Sequence, residues 1–323
     1  MKLISIVIPT FNCAEFLPET IKSLQNQTYS NWEAICVDDG SNDKTLQIAI
    51  KLAEKDKRVR VFSREELPKG GSHCRNIGVQ HASGEYVIFL DGDDTLAPTC
   101  LENRLKQIDT TSYDFAVFSM GTMKNGVMGK VITDSRIKKY KLAFASNHAV
   151  WQVTSPIYRT EFVRQIKGFD TSFLRMQDLE FGLRAIARSN DNFLICIDDN
   201  NPDCYYRLSD GVVTAKKYIT GLQQFDKFVC LLHRLEAEGA FPDKKELSTI
   251  YLCLAMSSLI VYLRKGVYDI VDYKTVFHSY SITEKLSFTD RVLYFMIQLL
   301  SPFKRLQFIA VRALRRLIMN NRF

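Results

Sequence analysis

The first ninety residues alternate short unbroken apolar runs with stretches of helical spacing. Leu3–Ile8 (LISIVI), Glu33–Val37 (EAICV), Val59–Phe62 (VRVF) and Tyr86–Leu90 (YVIFL) each have strand length. Unbroken apolar character means both faces are covered, as in a parallel sheet buried between helices. Between the runs, Glu15–Gln27 repeats apolar residues at helical spacing (Phe16, Ile21, Leu24), with Pro18 near the helix start where it is tolerated. Asp43–Glu54 predicts a second helix, capped by Ser41 or Asn42. A third helix, capped by Ser72, carries Cys74, Ile77 and His81 on one side. Strands alternating with helices imply parallel pairing through right-handed crossovers. The expectation is an α/β fold with a mainly parallel, twisted, doubly wound sheet. Ligands bind such sheets beyond the carboxyl ends of the strands.

The pattern loosens after Thr95. Asn125-Gly126 predicts a tight hairpin. Trp151–Tyr158 and Asp203–Leu208 read as further strands, and Gln177–Arg188 as a helix. From about Lys216 the text is almost wholly helical, broken at Gly239–Pro242 and at Ser301-Pro302. This divides the chain into a catalytic-type domain over 1–215 and a helical C-terminal region over 216–323. Ile250–Leu263, the longest apolar stretch, is too short to span a bilayer and predicts a buried helix. No internal repeat or low-complexity segment is present.

Hydrophobic residues make up 46% and charged residues 24% of the 323, which excludes a disordered chain. The eight cysteines form no C-x-x-C pair, and several lie in apolar runs. They read as reduced thiols of a cytoplasmic protein. The apolar stretch at the N-terminus stops at Pro9, too early for a secretion signal.

Chemistry gathers where the strands end. Phe89-Leu90-Asp91-Gly92-Asp93-Asp94 places three carboxylates directly after the fourth strand. Such a cluster is costly unless a cation offsets the repulsion, and oxygen ligands suit Mn²⁺ or Mg²⁺. A leaving diphosphate needs that cation. Val37-Asp38-Asp39-Gly40-Ser41 follows the second strand and offers a carboxylate to a base N–H or a ribose hydroxyl. Pro9-Thr10-Phe11-Asn12 puts an aromatic ring at the end of the first. Gly70-Gly71-Ser72 opens the third helix, where backbone N–H groups favour phosphate and Arg75 reaches toward an anionic donor. This is not the G-x-G-x-x-G of a dinucleotide-binding oxidoreductase.

The ordered set Ser5–Asn12 (SIVIPTFN), Val37–Asp43 (VDDGSND), Arg75–Val79 (RNIGV) and Ala82–Asp94 (ASGEYVIFLDGDD) resembles the family-2 glycosyltransferases of GT-A fold. The likeness is dense over about a hundred residues and thin to Leu208. It implies an enzyme that moves a sugar from a nucleotide-diphosphate donor, by family habit a UDP-sugar, to a saccharide or lipid-linked saccharide. It also implies roles: Asp39 on uracil with Pro9 and Phe11 beside it, Asp91 toward the ribose or the metal's water shell, and Asp93 as the metal carboxylate with Asp94 as substitute. Members of the family often carry Glu-Asp at a helix start as the site of the general base. Here the text is Met176-Gln177-Asp178-Leu179-Glu180-Phe181, so Asp178 takes the base position, with Glu180 as the fallback, and Gln177 replaces the Glu. An inverting displacement needs one such base, whereas a glycosidase needs two paired carboxylates. Arg207 stands as a candidate partner of the diphosphate, and His148 and Trp151 as linings of an acceptor site. The Gln177 departure leaves one alternative, a non-catalytic sugar-nucleotide binder serving as scaffold or regulatory partner.

The net charge of +7 is concentrated at one end. From Arg291 onward the charged side chains are Arg291, Lys304, Arg305, Arg312, Arg315, Arg316 and Arg322, with no Asp or Glu. On a helix over 302–320, Leu306, Ile309, Ala310, Ala313, Leu314, Leu317 and Ile318 share one arc and the cations the other. That pattern suits a helix lying on an anionic membrane, peripheral at the cytoplasmic face of the inner membrane, or one packed on its own domain. No motif supports nucleic-acid binding, and assembly into a homo-oligomer stays open.

Overall fold

A seven-stranded sheet runs in the order β10-β6-β9-β4-β1-β2-β3. Its strands are β1 (Ile4–Thr10), β2 (Trp32–Asp38), β3 (Val59–Ser63), β4 (Tyr86–Phe89), β6 (Phe115–Phe118), β9 (Pro156–Arg159) and β10 (Phe193–Cys196). All point the same way except β9, which is antiparallel to β4 and β6. The computed structural model describes residues 1–109, 112–208, 215–263, 285–299 and 304–322. Ser301 and Pro302, expected to break the helical run, lie outside the described residues. The four expected N-terminal strands are present within a residue or two of their expected ends. β1, β2 and β4 are buried almost throughout, as their unbroken apolar text requires.

Helices α1 (Leu17–Gln25), α2 (Thr45–Lys55) and α3 (Gly71–His81) make the crossovers. Neither expected serine cap holds. The Ser41 hydroxyl donates to Asp38 Oδ1 at 2.6 Å and accepts from the Asn12 N–H at 3.0 Å, while Asp43 serves the start of α2 through the Thr45 N–H at 2.9 Å. Gly70 is the residue before α3, and Ser72 lies inside the helix with its hydroxyl buried. In both cases tertiary partners or backbone geometry outcompeted the local cap. Pro9 does not end β1 either. Val7 O accepts from Leu90 on the β4 side and Thr10 O accepts from Asp39 on the β2 side. By alternation the Pro9 nitrogen faces the edge where β4 pairing has already stopped, so its missing N–H leaves no gap.

Gly78 brings α3 against β1: a Cβ there would sit 2.2 Å from Val7 Cγ1. Gly78→Ala is therefore expected to overpack this contact at a cost of about 1–3 kcal/mol. Thermal denaturation checks it; an unchanged melting temperature would contradict the close approach.

A second, four-stranded sheet has the order β5-β11-β7-β8. It is built from β5 (Thr95–Leu96), β7 (Met120–Lys124), β8 (Val127–Val131) and β11 (Cys204–Arg207). The β7–β8 turn is the expected one, with Asn125 and Gly126 both at positive φ (52° and 74°) as a two-residue hairpin requires. Of the expected strand Trp151–Tyr158, only Pro156 onward is extended.

The chain forms two units. Unit one is Met1–Arg136, Trp151–Ser172 and Arg184–Asp210, and holds both sheets with α4 (Cys100–Ile108) and α6 (Thr160–Gln165). Unit two is Ile137–Val150, Phe173–Leu183 and Gly211–Phe323. It contains α5 (Tyr140–Ala145), the first half of α7 (Gln177–Ser189), α8 (Ala215–Ala237), α9 (Lys244–Tyr262), α10 (Phe288–Leu299) and α11 (Lys304–Arg322). α9 is buried on nearly every face, as the apolar run Ile250–Leu263 predicted. None of the eight cysteines is in a disulfide, and six of them are buried. Among the described residues no helix is long and apolar enough to cross a membrane.

Candidate active site

The loops after β1, β2 and β4 enclose a cavity of about 280 Å³ in unit one. Pro9, Phe11, Asp39, Arg75, Asp91 and Asp93 all line it, whereas Asp94 and Arg207, also read from the sequence as metal or diphosphate candidates, do not. Thr10, Asn12, Cys13, Phe16, Gly71, Cys74 and Gly92 complete the wall.

The loops are fixed by their own side chains. Asp38 accepts from the Thr10 hydroxyl at 3.2 Å and from the Ser41 N–H at 2.9 Å, so it is structural. Asn12, at φ 50°, accepts from the Asn42 N–H at 2.8 Å through its side-chain oxygen. The Cys13 N–H donates to Thr45 Oγ1 at 2.8 Å and the Ala14 N–H to Asp43 Oδ2 at 3.2 Å. Of the carboxylates in Val37–Asp43, only Asp39 borders the cavity. It is buried, ion-paired to Arg64 at the end of β3, and accepts from the Gly70 N–H at 2.6 Å. Arg64 also donates to the carbonyls of Glu66 at 2.8 Å and Pro68 at 3.2 Å, so it fixes the loop leading to α3 as well. Phe11 stands at the rim, 48% exposed, with the Lys69 ammonium 5.0 Å from its ring centre.

Asp91, Asp93 and Asp94 take three different places. Asp91 pairs with buried Arg75 at 2.5 Å and keeps 35% of its side chain exposed. Arg75 therefore reaches the cavity by holding Asp91. Asn76, next to it, donates to the Phe169 carbonyl and accepts from the Phe169 N–H, each at 2.8 Å, which anchors α3. Gly92 is the one residue type that fits: a Cβ there would lie 2.9 Å from Cys13 Sγ and 3.1 Å from Pro9 O. Thr20 of α1 donates to the carbonyls of Gly92 at 3.1 Å and Asp94 at 2.8 Å. Asp93 lines the cavity, and burial, then the charge of Asp91, raises its pKa. Asp94 is 1% exposed and accepts from the Arg207 N–H at 3.0 Å; burial and its two neighbours push its pKa well up. Burial raises the thiols too, to about 11 for Cys13 and about 12 for Cys74, so neither is a thiolate nucleophile.

The acidic cluster fits a hard divalent cation. It supplies oxygen donors, Asp93 and Asp94 being raised by burial first and by neighbouring carboxylate charge second, and Mg²⁺ asks for only one or two carboxylates, filling its shell with water and phosphate oxygens. Among the described residues no group of three or more His, Cys, Asp or Glu side chains is arranged to hold a metal by itself. A cation there would meet Asp93, with Asp91 nearby, among the residues lining the cavity, and Asp94 is turned to Arg207.

Arg207 joins β11 to this loop. Its Nε donates to the Asp93 carbonyl at 2.7 Å, its Nη2 pairs with Glu19 at 2.6 Å, and its guanidinium lies 4.8 Å from the Phe16 ring centre. It braces the acidic loop rather than lining the cavity. Sequence reading missed Arg64 and Thr20; the one signal for Arg64 was a basic residue following the third strand. In unit two, Asp178 is half-buried in the first turn of α7, while Glu180 is 1% exposed. His148 belongs to unit two and Trp151, buried, to unit one.

A mainly parallel α/β sheet with a cavity at its carboxyl edge is the arrangement of the GT-A class. Residues 5–159 match the model of "Glycosyl transferase family 2". The chain is 44% identical over 230 residues to an uncharacterized glycosyltransferase of Haemophilus influenzae, covering 70% of this chain and 87% of that protein. It belongs to glycosyl transferase family 2 and is a glycosyltransferase. It is also 27% identical to the Escherichia coli UDP-Glc:alpha-D-GlcNAc-diphosphoundecaprenol beta-1,3-glucosyltransferase WfgD, over 69% of this chain and 84% of that one. The fold is that of S. aureus TarS 1-349, solved in complex with UDP-GlcNAc: TM-score 0.62, 20% identity, 96% of this chain and 89% of that one covered. The family assignment sets aside the non-catalytic alternative.

Proposed function

We propose that this chain takes the glycosyl group of a UDP-sugar and places it, with inversion, on a hydroxyl of a lipid-linked saccharide, working as a peripheral protein at the cytoplasmic membrane face. The observation that carries this reading is the convergence of Phe11, Asp39, Asp91 and Asp93 on one cavity at the carboxyl ends of β1, β2 and β4.

The Phe11 ring offers a stacking face to a base. Arg64 and the Gly70 N–H orient Asp39 and leave it lone pairs to accept from a uracil N–H. Arg75 holds Asp91 where a ribose hydroxyl can donate to it. Mn²⁺ or Mg²⁺ held at Asp93 would neutralise the charge that develops on the departing diphosphate. Asp178 takes the proton of the acceptor hydroxyl as it attacks from the face opposite the diphosphate. WfgD supports the donor, the β-linked product and the lipid-linked acceptor, since its name states UDP-Glc, a beta-1,3 linkage and a diphosphoundecaprenol carrier.

Thermal shift tests the donor half. With Mn²⁺ and UDP-glucose at a hundred times Kd, the native state is expected to gain about 2.7 kcal/mol, with a rise in Tm of several degrees. Asp93→Ala is expected to lose the manganese-dependent part, and Asp39→Ala most of the rest. No shift with any uridine nucleotide, or a larger one with GDP-sugars, would contradict the reading. Incubation with UDP-glucose and a GlcNAc-diphosphoprenol acceptor, with the anomeric configuration of the product read by NMR, tests the transfer half.

A further inference from the structure

The C-terminal helices of unit two carry a feature that glycosyl transfer itself does not use. Both α10 and α11 pack on α9. Asp290 of α10 accepts from Ser248 Oγ at 2.5 Å, and Arg315 of α11 donates to Ser257 Oγ at 2.8 Å. Arg315 also donates to the carbonyls of Ser146 and Asn147, at 3.3 and 3.0 Å, so it belongs to the packed face and not to a basic rim. Gln307, Val311 and Ile318 are buried on that same side of α11, and Ile297 with Asp290 on the inward side of α10. Lys304 lies over the Tyr262 ring, 5.6 Å from its centre. The arc of α11 expected to be apolar is thus divided: Ile318 is buried, Ala310 and Leu314 are half-buried, and Leu306, Ile309, Ala313 and Leu317 face out.

The outward faces are apolar on both helices. On α10, Phe288, Val292, Phe295 and Met296 follow i, i+4, i+7, i+8, with Phe288 81% and Phe295 62% exposed. On α11, Leu306, Ile309, Ala313 and Leu317 follow i, i+3, i+7, i+11, and all four are exposed. Each stripe lies opposite its helix's contacts with α9. Single exposed apolar residues are ordinary, but seven large ones on two adjoining helices form a patch that marks an interaction surface.

Charge selects the occupant. The seven cations from Arg291 onward equal the net charge of the whole chain, so the preceding residues are neutral on balance. Exposed Arg312 and Arg316 border the α11 stripe. A second copy presenting the same cationic face would be repelled, whereas an anionic lipid surface is attracted. No described helix is fit to cross a bilayer, which leaves binding in the plane of the interface.

We propose that α10 and α11 together seat the enzyme on an anionic lipid surface, the two apolar stripes entering the headgroup boundary and Arg312 and Arg316 meeting lipid phosphates. The purpose of such a seat rests on the lipid-linked acceptor proposed above; the binding itself does not. The test is co-sedimentation of the full chain with phosphatidylcholine vesicles, with and without phosphatidylglycerol, alongside calorimetry with UDP. The expected result is binding only to the phosphatidylglycerol vesicles, lost at high salt. Arg312→Gln with Arg316→Gln is expected to weaken it roughly twentyfold, about fivefold per rim cation. Phe295→Ser with Leu306→Ser is expected to abolish it, with UDP affinity unchanged in every form. Equal binding to neutral vesicles, no binding to either, or a solution dimer that the serine variant disrupts would each overturn the proposal. If UDP failed to bind while vesicles did, the donor reading would fall and the lipid seat would stand.

Discussion

Asp178→Asn is expected to lower kcat by about 10²- to 10⁴-fold while leaving UDP affinity unchanged. The size is that of a general base removed from a transition state in which a hydroxyl proton is in flight. Affinity is spared because Asp178 is not among the residues that line the nucleotide cavity. Asn keeps the volume and one oxygen of Asp but cannot take a proton. The competing role for a carboxylate in the first turn of α7 is to favour the helix dipole, worth about 0.3–1 kcal/mol. That role predicts a small fall in Tm with kcat intact, so the two readings separate cleanly. Glu180 is the internal control: at 1% exposure it has no face to offer an acceptor, and Glu180→Gln is expected to act on stability first. Steady-state kinetics with calorimetric UDP binding checks both. Full kcat in the Asp178→Asn enzyme would move the base elsewhere.

Much of unit one was legible because its signals are local. A strand covered on both faces is largely apolar, and the runs of β1, β2 and β4 show it with only Ser5 and Glu33 interrupting, while β3 at the sheet edge admits Arg60 and is only partly buried. A parallel strand has a defined carboxyl end, so the text alone puts Asp39, Asp91 and Asp93 at one edge of the sheet. What the text hid were choices made between distant groups. β9 enters antiparallel between β4 and β6, and nothing in Pro-Ile-Tyr-Arg encodes its direction. Ser41 has the chemistry of a helix cap, yet Asp38 and Asn12 take both its hydrogen bonds. Arg75 and Arg207 were read as candidate partners of an anionic donor because they are cations near a motif; the text gave no sign that each also pairs with a carboxylate, Asp91 and Glu19. On α11 the buried face takes Arg315 from the basic arc and Ile318 from the apolar one, a division set by α9, some sixty residues earlier.

The second large effect is expected far from the chemistry. Arg104 of α4 is 0% exposed, with Nε 2.8 Å and Nη2 2.6 Å from the two oxygens of Asp203. Its Nη1 donates to the Thr154 carbonyl at 2.8 Å. This bidentate pair pins the entry to β11, and β11 delivers Arg207 to the acidic loop four residues later. Arg104→Met removes the cation and strands a carboxylate and a carbonyl in the interior, at a cost of about 3–5 kcal/mol. That is a large part of the roughly 5–15 kcal/mol that holds an ordinary domain folded. Desolvation of the intact pair offsets much of its attraction, so removing both partners costs less than removing one. Arg104→Met with Asp203→Leu is therefore expected to recover most of the lost stability, giving a coupling energy well above the scatter of independent sites. Chemical denaturation of the two single variants and the double variant measures it. Single and double losses that simply add would mean that the pair is not the latch on β11, and that the second sheet is held in place by its apolar packing alone.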